Sequence, residues 1–298
     1  MTYHKPVLLN ESIKGLEIKP NGIYVDVTFG GGGHSKEILK NLKGGFLYAF
    51  DQDGDAINNV INASNFKLIR SNFRFIKNFL RLEGVSKIDG LIADLGISSY
   101  QIDVPERGFA HRFENQIDMR MNTDAEFDAS DILNSYNEED LANIFYFYGE
   151  VNQSKKIAKR IIESRSKQKI ETVNQFKNIL QGIYPKKLEN KFLSKIFQAL
   201  RIEVNDEINS LKDLLVDVVD LLNHKGRLVV ISYHSLEDKL VKNLINKGNS
   251  DGLIENDIYG NKNLPLFPVN KKVITPNVKE CEINSRARSA KLRIAEKV

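Results

Sequence analysis

The sequence has no tryptophan, one cysteine (Cys281) and seven prolines among its 298 residues. One cysteine cannot form an internal disulfide or a cysteine-rich zinc site, which excludes a disulfide-stapled scaffold. No stretch approaches the roughly 18 consecutive apolar residues of a membrane helix. Residues 1–9 carry no apolar core of signal-peptide length. These absences predict a reduced, cytoplasmic protein, and no ligand spacing points to a tight metal site. A strong net charge is also missing: 43 Lys and Arg against 39 Asp and Glu leave +4. That total alone gives no reason to expect a nucleic-acid partner. With 41% apolar and 28% charged residues, the composition is that of an ordinary globular chain.

The small total hides a polarised middle. Residues 111–150 hold 2 basic and 10 acidic side chains, and residues 151–200 hold 12 basic and 3 acidic ones. Such a contrast predicts a separate module with its own partner.

Strand-like apolar runs alternate with helical spacing over the first hundred residues. The predicted strands are 23–28, 46–51, 66–70 and 88–94, and the predicted helices are 35–42, 55–63 and 75–82. This alternation indicates βαβ units, a mostly parallel sheet and an α/β doubly wound fold. From about Ala129 to Leu200 the spacing is helical throughout, which predicts an inserted all-helical domain. The α/β pattern resumes with a helix over 206–222, a strand over 227–232 and a helix over 236–245. Residues 248–270 read as a loop, and 290–295 as a late edge strand. The expected division is 1–104 with 205–298 as one discontinuous domain, and 105–204 as the insertion.

Between the first strand and first helix lies Asp26-Val-Thr-Phe-Gly30-Gly-Gly-Gly-His34-Ser35. A glycine run there lets a ligand approach the backbone and the exposed N–H groups of the helix start. Asp51 ends the second strand, where a carboxylate can accept from both hydroxyls of a ribose. The dinucleotide fingerprint G-x-G-x-x-G/A fails, because its last position falls on Ser35 or Lys36. S-adenosylmethionine has no pyrophosphate and suits the arrangement better than NAD. Asp26, Asp51, Asp94 and Ser232 all fall at predicted strand ends, where open α/β sheets bind ligands.

These residues resemble the S-adenosylmethionine-dependent ribosomal RNA small subunit methyltransferase H family. The resemblance covers almost the whole chain. It runs through His4 to Leu9, Asp26 to Ser35, Asp94 to Ser99, Glu106 to Phe109, Asp118 to Met121 and Tyr148 to Glu150. It continues through Phe197 to Ile202 with Asn205, Ser232 to Asp238 and Arg286 to Ser289. It implies a class I, Rossmann-like methyltransferase sheet interrupted by a helical domain. The implied activity is methyl transfer to the exocyclic N4 of a decoding-centre cytidine in bacterial 16S rRNA. The implied cofactor is S-adenosylmethionine, lined by Gly32, Gly33 and His34. Asp51 would hold the ribose, Phe73 would lie against the adenine, and Asp94 and Gln101 would complete the pocket. Two positions depart from the family pattern: Gly31 where arginine is usual, and Tyr100 where proline is usual.

The chemistry adds expectations. The N4 lone pair is delocalised, so positioning contributes most, and the nitrogen must lose a proton after transfer. The Asp/Asn-Pro-Pro-aromatic motif of amino-methyltransferases is absent, and Asp94-Leu-Gly-Ile stands in its place. Asp94 and Ser232 to Ser235 are therefore expected to frame the transfer, with His34 and His234 as further proton acceptors. Ser235-Leu-Glu-Asp238 also fits a helix capping box. Tyr100, Phe109, Phe113 and Tyr233 are candidate stacking faces for an extruded base. Lys155, Lys156, Lys159 and Arg160 share a helical face, and Arg286 and Arg288 with Lys291 and Arg293 form a second basic group. Both are candidate RNA contacts. Free rRNA and the assembled small subunit are both open as substrate, as are monomer and homodimer.

Overall fold

The computed structural model describes residues 6–254 and 264–298. His4 and Lys5 of the first resemblance segment, and residues 255–263 of the expected loop, lie outside them. The chain divides into two compact units, 1–96 with 208–298, and 97–207. The short helix after the fourth strand thus belongs to the insertion, not to the sheet unit as expected.

The sheet unit contains seven strands among the described residues: β1 (Ile23–Asp26), β2 (Phe46–Asp51), β3 (Phe66–Arg70), β4 (Ile88–Asp94), β5 (Leu222–Ser232), β6 (Leu266–Pro268) and β7 (Lys291–Lys297). Their order is β3-β2-β1-β4-β5-β7-β6. β1 to β5 run parallel, and β7 runs antiparallel to both β5 and β6. The order reverses between β1 and β4, the switch point beyond whose carboxyl ends ligands bind.

Both faces of the sheet are covered, as its nearly continuous apolar strands require. Successive residues of β4 show the pleat. Leu91 and Ala93 enter one core with Ile76 and Leu80 of α3 (Ile76–Leu82) and Leu211, Leu214 and Val218 of α10 (Glu207–Leu221). Ile92 enters the opposite core, with Leu16 of α1 (Leu9–Leu16) and Ile38 of α2 (Gly33–Asn41). Each fully buried aliphatic side chain contributes about 1.5–3 kcal/mol of transfer free energy. α11 (Ser235–Lys247) follows β5, and α12 (Val278–Ile283) precedes β7.

Three sequence expectations change here. Residues 55–63 do not form an α-helix; a 3-10 turn covers Gly54–Asn59, started by the Asp53 carboxylate accepting from the Asp55 N–H. Asn58, Asn59 and Val60 are weak helix formers, which explains the short, tight turn. β7 is not an edge strand, because β6 pairs outside it. The expected loop over 248–270 therefore contains a strand. Three residues ending in Pro268 give little periodic signal, and proline is tolerated only at such an edge.

The helical unit contains α4 (Ser99–Asp103), α5 (Ala129–Ser135), α6 (Glu138–Phe147), α7 (Ser154–Arg165), α8 (Val173–Leu180) and α9 (Glu189–Val204). Leu141, Phe145, Ile157, Ile161, Phe176 and Phe197 share its core. Two resemblance segments prove to be one packed loop. The Met119 N–H donates to the Arg107 carbonyl, and the buried Arg107 guanidinium donates to the carbonyls of Arg120 and Met121. Asn205 accepts from the Met121 N–H and donates to the Met119 carbonyl. No helix among the described residues is long and apolar enough to cross a membrane.

Candidate active site

The site is assembled at the carboxyl ends of β1, β2, β4 and β5. β1 ends at Asp26, whose carboxylate accepts from the Thr28 N–H at 3.1 Å and the Ser35 hydroxyl at 2.6 Å. Burial pushes this carboxyl above its ordinary range. Asp26 is 1% exposed and ties the start of the turn to the first turn of α2. It positions the loop.

The glycines of the turn have different reasons to be glycine. Gly30 has φ +50°, and a Cβ there would meet nothing within 4 Å. Open space lies beside its backbone. Gly32 has φ +71°, and a Cβ there would lie 2.9 Å from the Phe29 ring. At Gly33 the Cβ would lie 2.1 Å from Pro6, so that glycine serves close packing of the N-terminal segment. Gly30, part of the predicted glycine run but not among the lining residues the resemblance implies, thus borders space a ligand can fill.

Asp51 closes the other side of the turn. Its carboxylate accepts from the Gly30 N–H at 2.7 Å and the Asp53 N–H at 2.9 Å. Each oxygen holds one backbone donor and retains a lone pair for another. Burial pushes this carboxyl up to about 6. Phe73 follows β3 in a short 3-10 turn and packs half-buried against the first core.

Asp94 ends β4. Its N–H donates to the Thr28 hydroxyl at 2.7 Å, and its carboxylate accepts from the Tyr233 hydroxyl, also at 2.7 Å. The other carboxylate oxygen lies 3.8 Å from His34 Nδ1. Burial pushes the carboxyl up to about 6, against the opposing pull of His34 and the Tyr233 hydrogen bond. His34 is 5% exposed, and its Nε2 lies 3.2 Å from the Val7 carbonyl. It therefore sits behind Asp94.

The remaining predicted residues are placed as follows. Ser232 is buried, and its hydroxyl donates to the Lys291 carbonyl at 3.4 Å. His234 is the N-cap of α11, and its Nδ1 accepts from the Glu237 N–H at 3.4 Å. Glu237 in turn accepts from the Tyr233 and His234 N–H groups. The capping box is thus set one residue earlier than the Ser235–Asp238 spacing predicts. Gln101 belongs to the helical unit, where its side-chain oxygen accepts from the Ser98 N–H and completes the capping box of α4. The basic faces also resolve. Lys155, Lys156 and Lys159 are exposed on α7, whereas the Arg160 guanidinium donates to the Ile179 and Gln181 carbonyls. Arg160 holds the end of α8 in place. Arg288 is exposed and Arg286 half-buried.

A doubly wound sheet with an antiparallel β7, a glycine turn after β1 and carboxylates closing β2 and β4 defines a class I methyltransferase. A model of the MraW methylase family matches residues 1–298. The ribosomal RNA small subunit methyltransferase H of Bacteroides thetaiotaomicron is 52% identical, covering 100% of this chain and 98% of that protein. Proteins of the same name from Parabacteroides distasonis and Cytophaga hutchinsonii are 54% and 53% identical, each covering 99% of this chain and 98% and 99% of their own lengths. The chain belongs to the MraW methylase family.

Proposed function

We propose that this protein uses S-adenosylmethionine to methylate the exocyclic N4 of a cytidine in the decoding centre of bacterial 16S rRNA. The observation that carries the mechanism is Asp94, a carboxylate at the switch point with one oxygen held by Tyr233 and the other 3.8 Å from His34 Nδ1, beyond hydrogen-bond distance and able to accept from an amine. Full-length similarity to relatives named for the small-subunit rRNA supports the substrate class.

The residues fit this cofactor. Asp51 has unused lone pairs for two ribose hydroxyls, and the backbone at Gly30 borders open space. Phe73 offers an apolar ring beyond β3. S-adenosylmethionine supplies a methyl group on a cationic sulfur, and the products are S-adenosylhomocysteine, N4-methylcytidine and one proton.

The protein's work is alignment and proton transfer. Asp94 accepts one N4–H, which turns the nitrogen lone pair toward the methyl donor. When the N4–methyl bond has formed, the same carboxylate takes the surplus proton. A carboxyl raised to about 6 suits that role better than one near 4. Tyr233 keeps the carboxylate in one rotamer. His34 behind it is a second station for the proton. The exposed Lys155, Lys156 and Lys159 of α7, with Arg288, contribute contacts to RNA phosphates. Tritiated-methyl transfer to isolated small subunits, naked 16S rRNA and duplex DNA tests this function. Label is expected in the RNA of one or both ribosomal substrates and not in DNA; labelled DNA alone would overturn it.

A further inference from the structure

α11 leaves the site at Tyr233 and carries a surface feature that the methyl-transfer chemistry does not use. Along its outer side lies a shallow cavity of 360 Å³, lined by Ser235, Lys239, Lys242, Asn243, Asn246 and Lys291 among others. The positions 239, 242/243 and 246 recur at helical spacing, so they form one stripe. Apart from Asp238, the lining offers ammonium groups, side-chain amides and a hydroxyl, all able to donate. A pocket for a small apolar molecule has the opposite character.

Two of the lysines in the lining are also without an acidic partner among the described residues. Elsewhere on the sheet unit, Lys19, Lys67, Lys77 and Lys212 each face an acidic partner. Lys239 and Lys242 have no ion pair among the described residues, and both are exposed. The one acid in the lining is Asp238. Its two carboxylate oxygens are taken by Arg293 Nε at 2.7 Å and Lys291 Nζ at 3.3 Å. The acid therefore fixes two cations at the base of the cavity and leaves a net positive surface. Uncompensated lysines side by side repel one another and gain from a polyanion that bridges them.

Position gives the polyanion its identity. The trough starts at Ser235, two residues from Tyr233, whose hydroxyl holds Asp94. It then runs the 13 residues of α11, about 20 Å at 1.5 Å per residue. The amino-terminal end of the stripe thus begins at the same carboxyl edge of the sheet at which Asp94 closes β4. We infer that the α11 trough binds the sugar–phosphate backbone of the RNA strand flanking the target nucleotide, with Lys239 and Lys242 as its principal phosphate contacts. The inference rests on the RNA methyltransferase function proposed above and adds the α11 face to the basic residues already proposed to contact RNA.

Salt titration of the full-length protein with a fluorescent single-stranded RNA of 16S sequence tests it. For single strands, each phosphate contact adds about 0.7 to the magnitude of the negative slope of log K against log salt. Lys239→Gln/Lys242→Gln is expected to reduce the slope by about 1.4 and to weaken binding about three- to tenfold at low salt. Lys239→Arg/Lys242→Arg should restore both. S-adenosylmethionine affinity by calorimetry should be unchanged in all three proteins, which also reports that they are folded. An unchanged slope in the glutamine variant, beside a wild type that binds and methylates RNA, overturns the trough and leaves the function standing. Loss of binding to whole subunits with an unchanged RNA slope overturns it in favour of a protein contact. A wild type that neither binds nor methylates RNA overturns both.

Discussion

The Tyr233 hydroxyl donates to the Asp94 carboxylate at 2.7 Å, joining the carboxyl ends of β5 and β4. The bond favours the ionised form of Asp94, opposing the upward push of burial. Removing it has a signed consequence. In Tyr233→Phe the carboxyl rises further above about 6, so the acid limb of the pH–rate profile moves to higher pH. The turnover at pH 7 is expected to fall about tenfold, while S-adenosylmethionine affinity is retained. A pH–rate profile of both proteins checks this; an unmoved acid limb would mean that Asp94 is not the titrating group.

Asp94 is also predicted to cost stability. Its native value of about 6 lies above the ordinary 3.8. Its contribution is therefore fully favourable below about pH 4 and is lost as pH rises through 6. Asp94→Asn keeps an acceptor for Tyr233 and removes the buried charge. At pH 7.5 the variant should be more stable by an amount on the order of 1 kcal/mol, and at pH 4 that gain should vanish. Turnover should drop by two orders of magnitude or more. Thermal melts at the two pH values, with a transfer assay, separate these effects.

Asp51 and Gly30 should act on cofactor binding. Asp51→Ala removes the proposed ribose acceptor and the anchor of the Gly30 N–H, and about ten- to hundredfold weaker S-adenosylmethionine binding is expected. Gly30→Ala places a methyl group in the open space beside the turn at φ +50°. It should weaken the cofactor more than Gly33→Ala does relative to its cost in stability, because Gly33 abuts Pro6. Calorimetry beside melting curves for both glycine variants gives the comparison.

The basic face of α7 contains residues of two kinds. Arg160→Ala breaks two hydrogen bonds to the end of α8 and should lower stability by about 1–2 kcal/mol without changing the RNA salt slope. Lys155→Gln/Lys156→Gln should do the reverse. Chemical denaturation and salt titration on the same variants distinguish them.

Much of this arrangement was legible in the residues. Alternating strand and helix spacing gave the parallel sheet, and Asp26, Asp51 and Asp94 fell at strand ends because each closes an apolar run. What was not legible depends on three-dimensional partners. That Asp26 is consumed by Thr28 and Ser35 cannot be read from its place in the chain. The same holds for Arg160, whose i, i+4 neighbours imply an exposed face while its guanidinium reaches carbonyls 19 and 21 residues on. His234 was missed as a cap because serine, one residue later, fits the usual pattern better. β6 was missed because three residues carry no measurable period.

The most direct test of the central claim is the chemical identity of the methylated product. 16S rRNA labelled by this protein with tritiated S-adenosylmethionine would be digested to nucleosides and separated. Label is expected to co-elute with N4-methylcytidine and to be absent with Asp94→Asn. Label in a C5-methylated cytidine, a ribose-methylated nucleoside or a purine would contradict it.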